Sequence, residues 1–269
     1  MERLIPFTKI EAAGNDFIFV DTTDEPVNAH LVKQLCTRHF SIGADGLILM
    51  DGLRMRYFNA DGSEGSMCGN GLRAAVLFSY IKGKIPRRKF VRFEAKDGMH
   101  RVRMNTPNDI SVEIIDHRDS FFMPALNGHL DKDFTVMGFF NTGVPHVVLK
   151  VSADLRKTDV EGIGKKIRFD STFEPEGTNV NFITVSDDSD IQIRTYERGV
   201  EKETLACGTG AVAAFLALEP KKGSPLTIQA KGGRLTVYRD KERLFLNGSA
   251  RISFVGQAIL EDGKSERAV

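Results

Sequence analysis

Hydrophobic and polar residues alternate over most of the chain in short runs, which is the pattern of half-buried β-strands. In the first half the runs predict strands at residues 4–11, 17–21, 47–50, 54–59, 90–95, 101–105 and 110–115. In the second half they predict strands at residues 134–140, 146–151, 179–185, 191–197, 226–230, 235–238, 243–247 and 250–254.

Four helices interrupt these strands. Two short ones are expected at residues 29–38 and 160–166, and two apolar ones directly follow Cys68 and Cys207. The helix after Cys207 should end before Pro220, because proline lacks the N–H that would continue it. The helix after Cys68 is apolar nearly all round and therefore has to be buried. The fold class is thus α/β with mixed sheets, each a curved, mostly antiparallel sheet wrapped around a central helix.

The chain contains a faint internal repeat. Cys68 opens Cys-Gly-Asn-Gly and Cys207 opens Cys-Gly-Thr-Gly, and both are followed by an Ala-rich segment. Glycine-led segments at 14–20 and 43–48 recur in the same order at 143–149 and 177–183. We therefore expect two pseudo-symmetric domains with a boundary near 116–122. The first covers residues 1–118, which the C-terminal segment 256–269 could complete, and the second covers 119–255.

Composition narrows the function classes. Lys and Arg number 37 against 36 Asp and Glu, a net charge of +1, which disfavours a nucleic-acid partner. No segment has the length and apolarity of a membrane span, and the N-terminus does not resemble a signal peptide, so we expect a cytoplasmic protein. Three cysteines without a Cys-x-x-Cys pair favour neither a zinc site nor a disulfide framework.

A cysteine in Cys-Gly-x-Gly at a helix start has a chemical use. The helix N-terminus offers unpaired N–H groups and a partial positive charge, which shift a thiol toward thiolate. The glycines let backbone N–H groups approach an anion closely. Cys68 and Cys207 could instead be small core residues, but their equivalent places in a duplicated chain disfavour that. Cys36 lies in a helical segment without glycines and is expected to be core packing.

If the two halves meet face to face, both helix starts point at one cleft. One thiolate can then remove the proton from a substrate α-carbon while the opposite thiol returns one from the other side. The N–H groups would bind the adjacent carboxylate and stabilise the charge that develops there. The pattern therefore indicates an amino-acid racemase or epimerase that needs no cofactor.

Three segments carry a resemblance to the diaminopimelate epimerase family. Residues 59–73 match one family signature at every fixed position, and residues 197–199 with 203–210 resemble a second one. The segments 14–17 and 43–46 also fit. The resemblance implies conversion of LL- to meso-2,6-diaminopimelate without pyridoxal phosphate or metal, in lysine and cell-wall precursor synthesis. It also implies a homodimer.

The resemblance also implies roles for individual residues. Cys68 and Cys207 would be the acid/base pair, and Glu197 and His146 would tune the thiols or bind an amino group. The substrate-binding positions would be Asn15, Asn59, Gly69, Asn70, Asn179, Glu197, Arg198, Gly208 and Thr209.

Rival interpretations remain for several of these positions. Asn15 and Asn59 could be turn residues, Glu197 and Arg198 an exposed pair of little energetic value, and His146 a satisfied core histidine. The chain departs from the family pattern at Ala12, where glycine is usual, and at Val144, where some members have asparagine.

Other functions compete with the epimerase. A proline-type racemase on the same fold is the nearest, but Arg198 and several asparagines favour a substrate that is polar at both ends. A thiol redox protein would be expected to carry Cys-x-x-Cys. A non-catalytic amino-acid binding protein would not need thiols on both sides of its ligand.

Overall fold

The computed structural model describes residues 2–21, 27–115, 118–122, 126, 130–187, 189–218, 220 and 224–261. The first half contains β1 (Glu2–Ala12), β2 (Asn15–Asp21), α1 (Ala29–Cys36), β3 (Gly46–Asp51), β4 (Arg54–Asn59), α2 (Gly69–Ile81), β5 (Phe90–Ala95), β6 (Gly98–Thr106) and β7 (Asp109–Ile114). The second half contains β8 (Arg118–Phe122), β9 (Phe134–Asn141), β10 (Pro145–Val151), α3 (Val160–Arg168), β11 (Asn179–Asp187), β12 (Asp190–Glu197), β13 (Lys202–Thr204), α4 (Gly208–Leu218), β14 (Leu226–Ala230), β15 (Gly233–Asp240), β16 (Arg243–Gly248) and β17 (Arg251–Glu261).

The two halves repeat one pairing pattern. In the first, β1–β2 is antiparallel, β2–β3 parallel, β3–β4 antiparallel and β4–β5 parallel, and β5, β6 and β7 form an antiparallel meander. In the second, β9, β10, β11, β12, β14, β15 and β16 pair in the same order and with the same directions. This confirms the predicted fold class of mixed sheets in two pseudo-symmetric halves.

The halves are joined where β16 pairs with β7 and where β17 runs antiparallel to β1 along the edge of the first half. Part of the predicted completing segment, residues 262–269, lies outside the described residues. Within the expected boundary near 116–122, residues 118–122 form β8, which pairs with β9.

The helices take different places relative to the sheets. In β2, Phe17 and Phe19 face the core that surrounds α2, whereas Ile18 and Val20 face a separate cluster with α1. A strand that is apolar on both faces is expected when helices cover both sides. Helices α2 and α4 share one continuous core, so their ends are held in fixed relative positions. No helix among the described residues has the length and apolarity to cross a membrane.

Candidate active site

Cys68 and Cys207 occupy matching positions at the starts of α2 and α4. Cys68 is the N-cap of α2, with extended backbone angles, and its Sγ accepts a hydrogen bond from the Gly71 N–H at 3.4 Å. The Sγ of Cys207 accepts from the Gly210 N–H at the same distance. Each sulfur thus satisfies one of the N–H groups that a helix start leaves unpaired.

The two helix starts approach each other closely. A Cβ atom added at Gly208 would lie 2.8 Å from Cδ2 of Leu246 and 3.6 Å from Oδ1 of Asn70. A Cβ at Gly69 would lie 3.2 Å from that same Leu246 atom. The first glycine of each Cys-Gly-x-Gly therefore makes room for Leu246 of β16, and Gly208 also makes room for the start of α2.

A single cleft of about 310 Å³ opens where the helices meet, and both cysteines line it. The predicted site residues that line this cleft are Asn15, Asn59, Cys68, Gly69, Asn70, Glu197, Cys207, Gly208 and Thr209. Tyr57, Asp97, Thr142, Gly143 and Val144 line it as well. The structure thus brings together residues that are up to 194 positions apart in the sequence (15 to 209).

Burial decides the ionisation of the cleft. It raises the pKa of Cys207 to about 12 and raises the pKa of Cys68, although the Gly71 N–H acts in the opposite direction. Burial likewise raises the pKa of the Glu197 carboxyl. The expected shift of both thiols toward thiolate is therefore wrong, because desolvation outweighs the donors at the helix starts.

Asn70 connects the two halves on the Cys68 side. Its Nδ2 donates to Oδ1 of Asn15 at 2.6 Å and to the carbonyl of Ala206 at 3.4 Å, while its Oδ1 accepts from Nη2 of Arg73 at 2.7 Å. Nδ2 of Asn15 donates in turn to Asp45 at 3.0 Å. We call Arg73, Asn70, Asn15 and Asp45 the Asn70 network. This network fixes the side-chain amides of Asn70 and Asn15, and none of its hydrogen bonds involves Sγ of Cys68.

His146 lies behind the cleft on the Cys207 side rather than on its lining. It is fully buried on β10, with Nε2 2.9 Å from Oγ1 of Thr209 and Nδ1 3.0 Å from Nδ2 of Asn181. Oγ1 of Thr209 is 3.3 Å from Sγ of Cys207. His146 is a satisfied buried residue, as the rival interpretation held, and it is also linked through one hydroxyl to a cysteine.

Two further predicted residues do not reach the cleft lining. Both polar atoms of the Asn179 side chain are used, since Nδ2 donates to the carbonyl of Pro145 and Oδ1 accepts from the Arg198 N–H. Nη1 of Arg198 donates to the carbonyl of Glu176 at 3.0 Å. The Asn59 side chain does line the cleft, but it already accepts from Tyr57 and donates to Ser63.

Sequence reasoning gave no role to Asp97, which lines the cleft, or to Arg73, Asn181 and Thr195, which reach cleft residues through hydrogen bonds. A signal existed for Asn181, because Asn179 and Asn181 stand at alternate positions of an otherwise apolar strand, where a polar side chain needs a partner. Arg73 also carried a signal, as a charged residue on a helix that is otherwise apolar. Nothing in the sequence marks Asp97, which follows β5 in a hairpin turn.

The sequence matches the family model described as diaminopimelate epimerase over residues 7–116 and 138–253. Among curated relatives, the diaminopimelate epimerase of Chlorobaculum tepidum is 38% identical, with 93% of this chain and 100% of that one covered. The diaminopimelate epimerase of Aquifex aeolicus is 36% identical, with 93% and 96% covered.

Solved structures match the fold at much lower sequence identity. A phenazine biosynthesis protein of the PhzF family from Bacillus anthracis has a TM-score of 0.70 at 16% identity, covering 95% of this chain and 99% of that one. A hydroxyproline epimerase from Agrobacterium vitis has a TM-score of 0.61 at 14% identity, covering 97% and 94%. At such identities the likeness concerns the fold alone.

Proposed function

Because this chain belongs to the diaminopimelate epimerase family and is therefore an isomerase, we propose that it converts LL-2,6-diaminopimelate to the meso form with Cys68 and Cys207 as its two bases. The observation that carries the proposal is the placement of both sulfurs at helix starts that meet at one cleft. Neither sulfur is bonded to another cysteine, so both are free to transfer protons. The product would serve lysine and cell-wall precursor synthesis.

The reaction is a proton exchange that conserves all other bonds. The thiolate of one cysteine takes the α-proton and becomes a thiol, and the C–H electron pair stays on the α-carbon next to its carboxylate. The thiol of the other cysteine then gives its proton to the opposite face and becomes a thiolate. The configuration inverts, and the ionised cysteine has changed sides, so the enzyme is ready for the reverse reaction.

The helix starts would hold the reacting carboxylate. Backbone N–H groups of Gly69, Asn70, Gly208 and Thr209 belong to the first turns, where intrahelical partners are missing. Two such sets converging on one carboxylate stabilise the charge that moves onto it when the α-proton leaves. Substrate filling the cleft would supply this anion and displace water from around the reacting carbon.

The remaining predicted residues would bind the polar groups of the substrate. Glu197 lines the cleft and suits an ammonium group, whose positive charge would favour the ionised carboxylate. Arg198 lies near the Cys207 side, since its charge acts on His146, and its fork suits the distal carboxylate. Asn15, Asn59 and Asn179 complete the proposed binding set. Because Asn179 already binds Pro145 and the Arg198 N–H, it would position Arg198, or it would bind substrate after giving up one of these hydrogen bonds.

The test is hydrogen exchange in D₂O. The reduced wild type, given LL-diaminopimelate without added cofactor, should incorporate α-deuterium and form the meso isomer. Cys68→Ala and Cys207→Ala should each lose inversion, by on the order of 10³-fold or more. Cys36→Ala is the matched control, because Cys36 is buried outside the cleft and should leave turnover unchanged.

Each other outcome has a meaning. Normal turnover in Cys68→Ala or Cys207→Ala would refute the two-base assignment. Exchange of proline but not of diaminopimelate would move the protein to the proline-type racemases. Tight binding of diaminopimelate without any exchange would make it a binding protein.

We further propose a homodimer formed through β17. Its side chains Ile252, Phe254, Val255 and Ile259 are exposed, with Val255 at 69%, beside the exposed Leu4 of β1. Apolar residues clustered on one edge of a sheet are typical of an interaction surface. Sedimentation should show a dimer for the wild type and a monomer for Val255→Lys, and a monomeric wild type at micromolar concentration would refute this.

The chemistry also fits the expected cytoplasmic location. Both cysteines must stay reduced to exchange protons, and cytosolic conditions keep thiols reduced.

A further inference from the structure

We infer that Asn181 and Thr195 are positioning residues that fix the proton of His146 on Nε2, so that the Thr209 hydroxyl is held as a hydrogen-bond donor to Sγ of Cys207. We call Thr195, Asn181, His146 and Thr209 the Cys207 network. The inference rests on the proposed function for its purpose, but its geometry stands without it.

The first step is the orientation of the Asn181 amide. Its Nδ2 is 3.0 Å from the carbonyl oxygen of Val147, which can only accept, so the atom at that position must be the NH₂ group. Its Oδ1 is 3.0 Å from the Thr195 hydroxyl, which donates to it. Asn181 and Thr195 are buried on neighbouring strands β11 and β12, which leaves the amide no room to turn.

The second step is the tautomer of His146. Nδ2 of Asn181 has two hydrogens and uses the second on Nδ1 of His146 at 3.0 Å. Nδ1 must therefore be an acceptor. Burial lowers the pKa of His146 to about 3, and Arg198 acts in the same direction, so the ring is neutral near pH 7. A neutral imidazole with an unprotonated Nδ1 carries its hydrogen on Nε2.

The third step is the Thr209 hydroxyl. The Nε2–H of His146 donates to Oγ1 of Thr209 at 2.9 Å. Oγ1 therefore already accepts from the ring, and its own hydrogen is free to point at Sγ of Cys207, 3.3 Å away. Each donated hydrogen, from the Thr195 hydroxyl to the Thr209 hydroxyl, thus has one assigned acceptor. The series ends in a hydrogen bond that favours the thiolate over the thiol.

The charged and titratable groups around the Cys207 network do not stabilise the Cys207 thiolate in its place. Glu197 and Cys68 face Cys207 from the cleft, and both raise its pKa by charge repulsion. The positive charge of Arg198 opposes a second proton on the His146 ring and so lowers the pKa of His146. Thr209 and the Gly210 N–H are the two hydrogen-bond donors that lower the Cys207 pKa, so loss of the hydroxyl removes one of two.

The tautomer can be measured on the unmodified protein. In the ¹⁵N spectrum of histidine-labelled wild type, the signals that disappear in His146→Gln belong to His146. They should show a neutral Nε2–H ring from pH 5 to 9. A Nδ1–H ring, or a ring that titrates in this range, would overturn the inference without any bearing on epimerase activity.

The effect on the sulfur can be measured by alkylation with iodoacetamide, followed by mass spectrometry of the Cys207 and Cys68 peptides. Thr209→Val should raise the Cys207 pKa by about one unit, which lowers the thiolate fraction at pH 9 about tenfold. Because the thiolate of a less acidic thiol is more nucleophilic, alkylation should slow by only about three- to fourfold. Cys68 serves as the internal control and should not change. Thr209→Ser, which keeps the hydroxyl, should restore the wild-type rate.

A double-mutant cycle separates positioning from general loss of structure. Asn181→Leu and Thr195→Val should each slow Cys207 alkylation on their own and should add nothing in the Thr209→Val background. If they slow it further there, they act on the sulfur by another route and the inference fails. If Asn181→Leu does not fold, Thr195→Val and the spectrum of the wild type still decide the matter.

Discussion

The two halves of this molecule build the same backbone device and then use its third residue differently. In both, a sulfur precedes a helix and accepts an N–H from the residue three positions later, at 3.4 Å in each case. The third residue is Asn70 in one half and Thr209 in the other. Asn70 binds across to Ala206 and Asn15, whereas Thr209 binds the sulfur of its own motif.

A second difference lies three residues further along each helix. Arg73 of α2 is fully buried and donates to Asn70, and its counterpart in α4 is Val212. The second half has no cation at this place and instead carries the Cys207 network. Backbone geometry thus persists after a duplication, while side chains at equivalent positions acquire separate tasks. The two thiols exchange one proton in the proposed reaction, but they are not chemically equivalent.

An alanine at the second glycine of each motif tests how differently the two halves surround their cysteines. A Cβ at Gly210 would lie 2.3 Å from Oδ1 of Asn181, which cannot move without breaking the Cys207 network. A Cβ at Gly71 would lie 3.0 Å from Cδ1 of Ile48, a flexible side-chain end. We expect Gly210→Ala to lower the free energy of unfolding by about 3 kcal/mol, and Gly71→Ala by less than about 1 kcal/mol.

Urea unfolding of both variants checks this difference, and alkylation of Cys207 shows whether the network has been disturbed. Each substitution gains the same helix propensity, so the pair is internally matched. Equal losses in the two variants would mean that Asn181 can relax, and the rigidity assigned to it would be wrong.

A second contrast concerns one buried histidine in each half. Burial lowers the pKa of His146 to about 3. Burial acts on His100 in the same direction, but Asp97 and the carbonyl of Glu113 outweigh it and raise the pKa of that ring. In the unfolded chain both rings titrate near 6.5. Protonation therefore opposes folding at His146 and favours folding at His100.

The two rings therefore change the stability of the protein in opposite directions as the pH falls. As the pH falls below 6.5, His146 becomes protonated in the unfolded state but stays neutral in the folded state. The free energy of unfolding therefore falls, by about 2.7 kcal/mol near pH 4.5. His146→Gln should remove this loss, whereas His100→Gln should lose the stability that His100 contributes below about pH 6.5. Urea unfolding from pH 8 to 4.5, with wild type subtracted, measures both. If the free energy of unfolding changed with pH in the same way in both variants, the two histidines could not have environments that shift their pKa values in opposite directions.

Much of the fold follows from local patterns. The strands at residues 54–59, 90–95 and 226–230 were predicted with the bounds that the structure has, and the stop before Pro220 agrees with a helix end at Leu218. The short strands β8 and β13 were missed. Three to five residues hold too few alternations to give a period, and pairing with β9 and β12 decides their conformation.

The site divides in the same way. The spacing of Cys-Gly-x-Gly identified both cysteines and the glycines at the helix starts, because that chemistry is local to one turn. The roles of Asn181 and Arg73 depend on tertiary contacts, with His146 on another strand and with Asn70 where the two helix starts meet. The periodicity of the sequence does not predict such contacts. The thiol pKa was misjudged for the same reason, since burial is a property of the assembled cleft.

The smallest effect we expect comes from the cation that only the first half carries. Arg73 is fully buried, no acidic group within the described chain forms an ion pair with it, and its Nε has no hydrogen-bond partner. Burial lowers its pKa to about 10, which shows that the protein holds this charge at a cost. Replacing such a group by an apolar one of similar volume is often neutral for stability.

We therefore expect Arg73→Met to unfold within a few degrees of the wild-type midpoint but to lose about tenfold in kcat/KM, or about 1.4 kcal/mol. The reason is that Asn70, released from Nη2, can rotate away from Asn15 and Ala206 and loosen the contact between the two helix starts. Arg73→Lys keeps the charge, and its kcat/KM should lie between that of Arg73→Met and that of the wild type. Calorimetry and steady-state kinetics separate the possibilities: a variant that melts early with unchanged kcat/KM would make Arg73 a packing residue of the first half and nothing more.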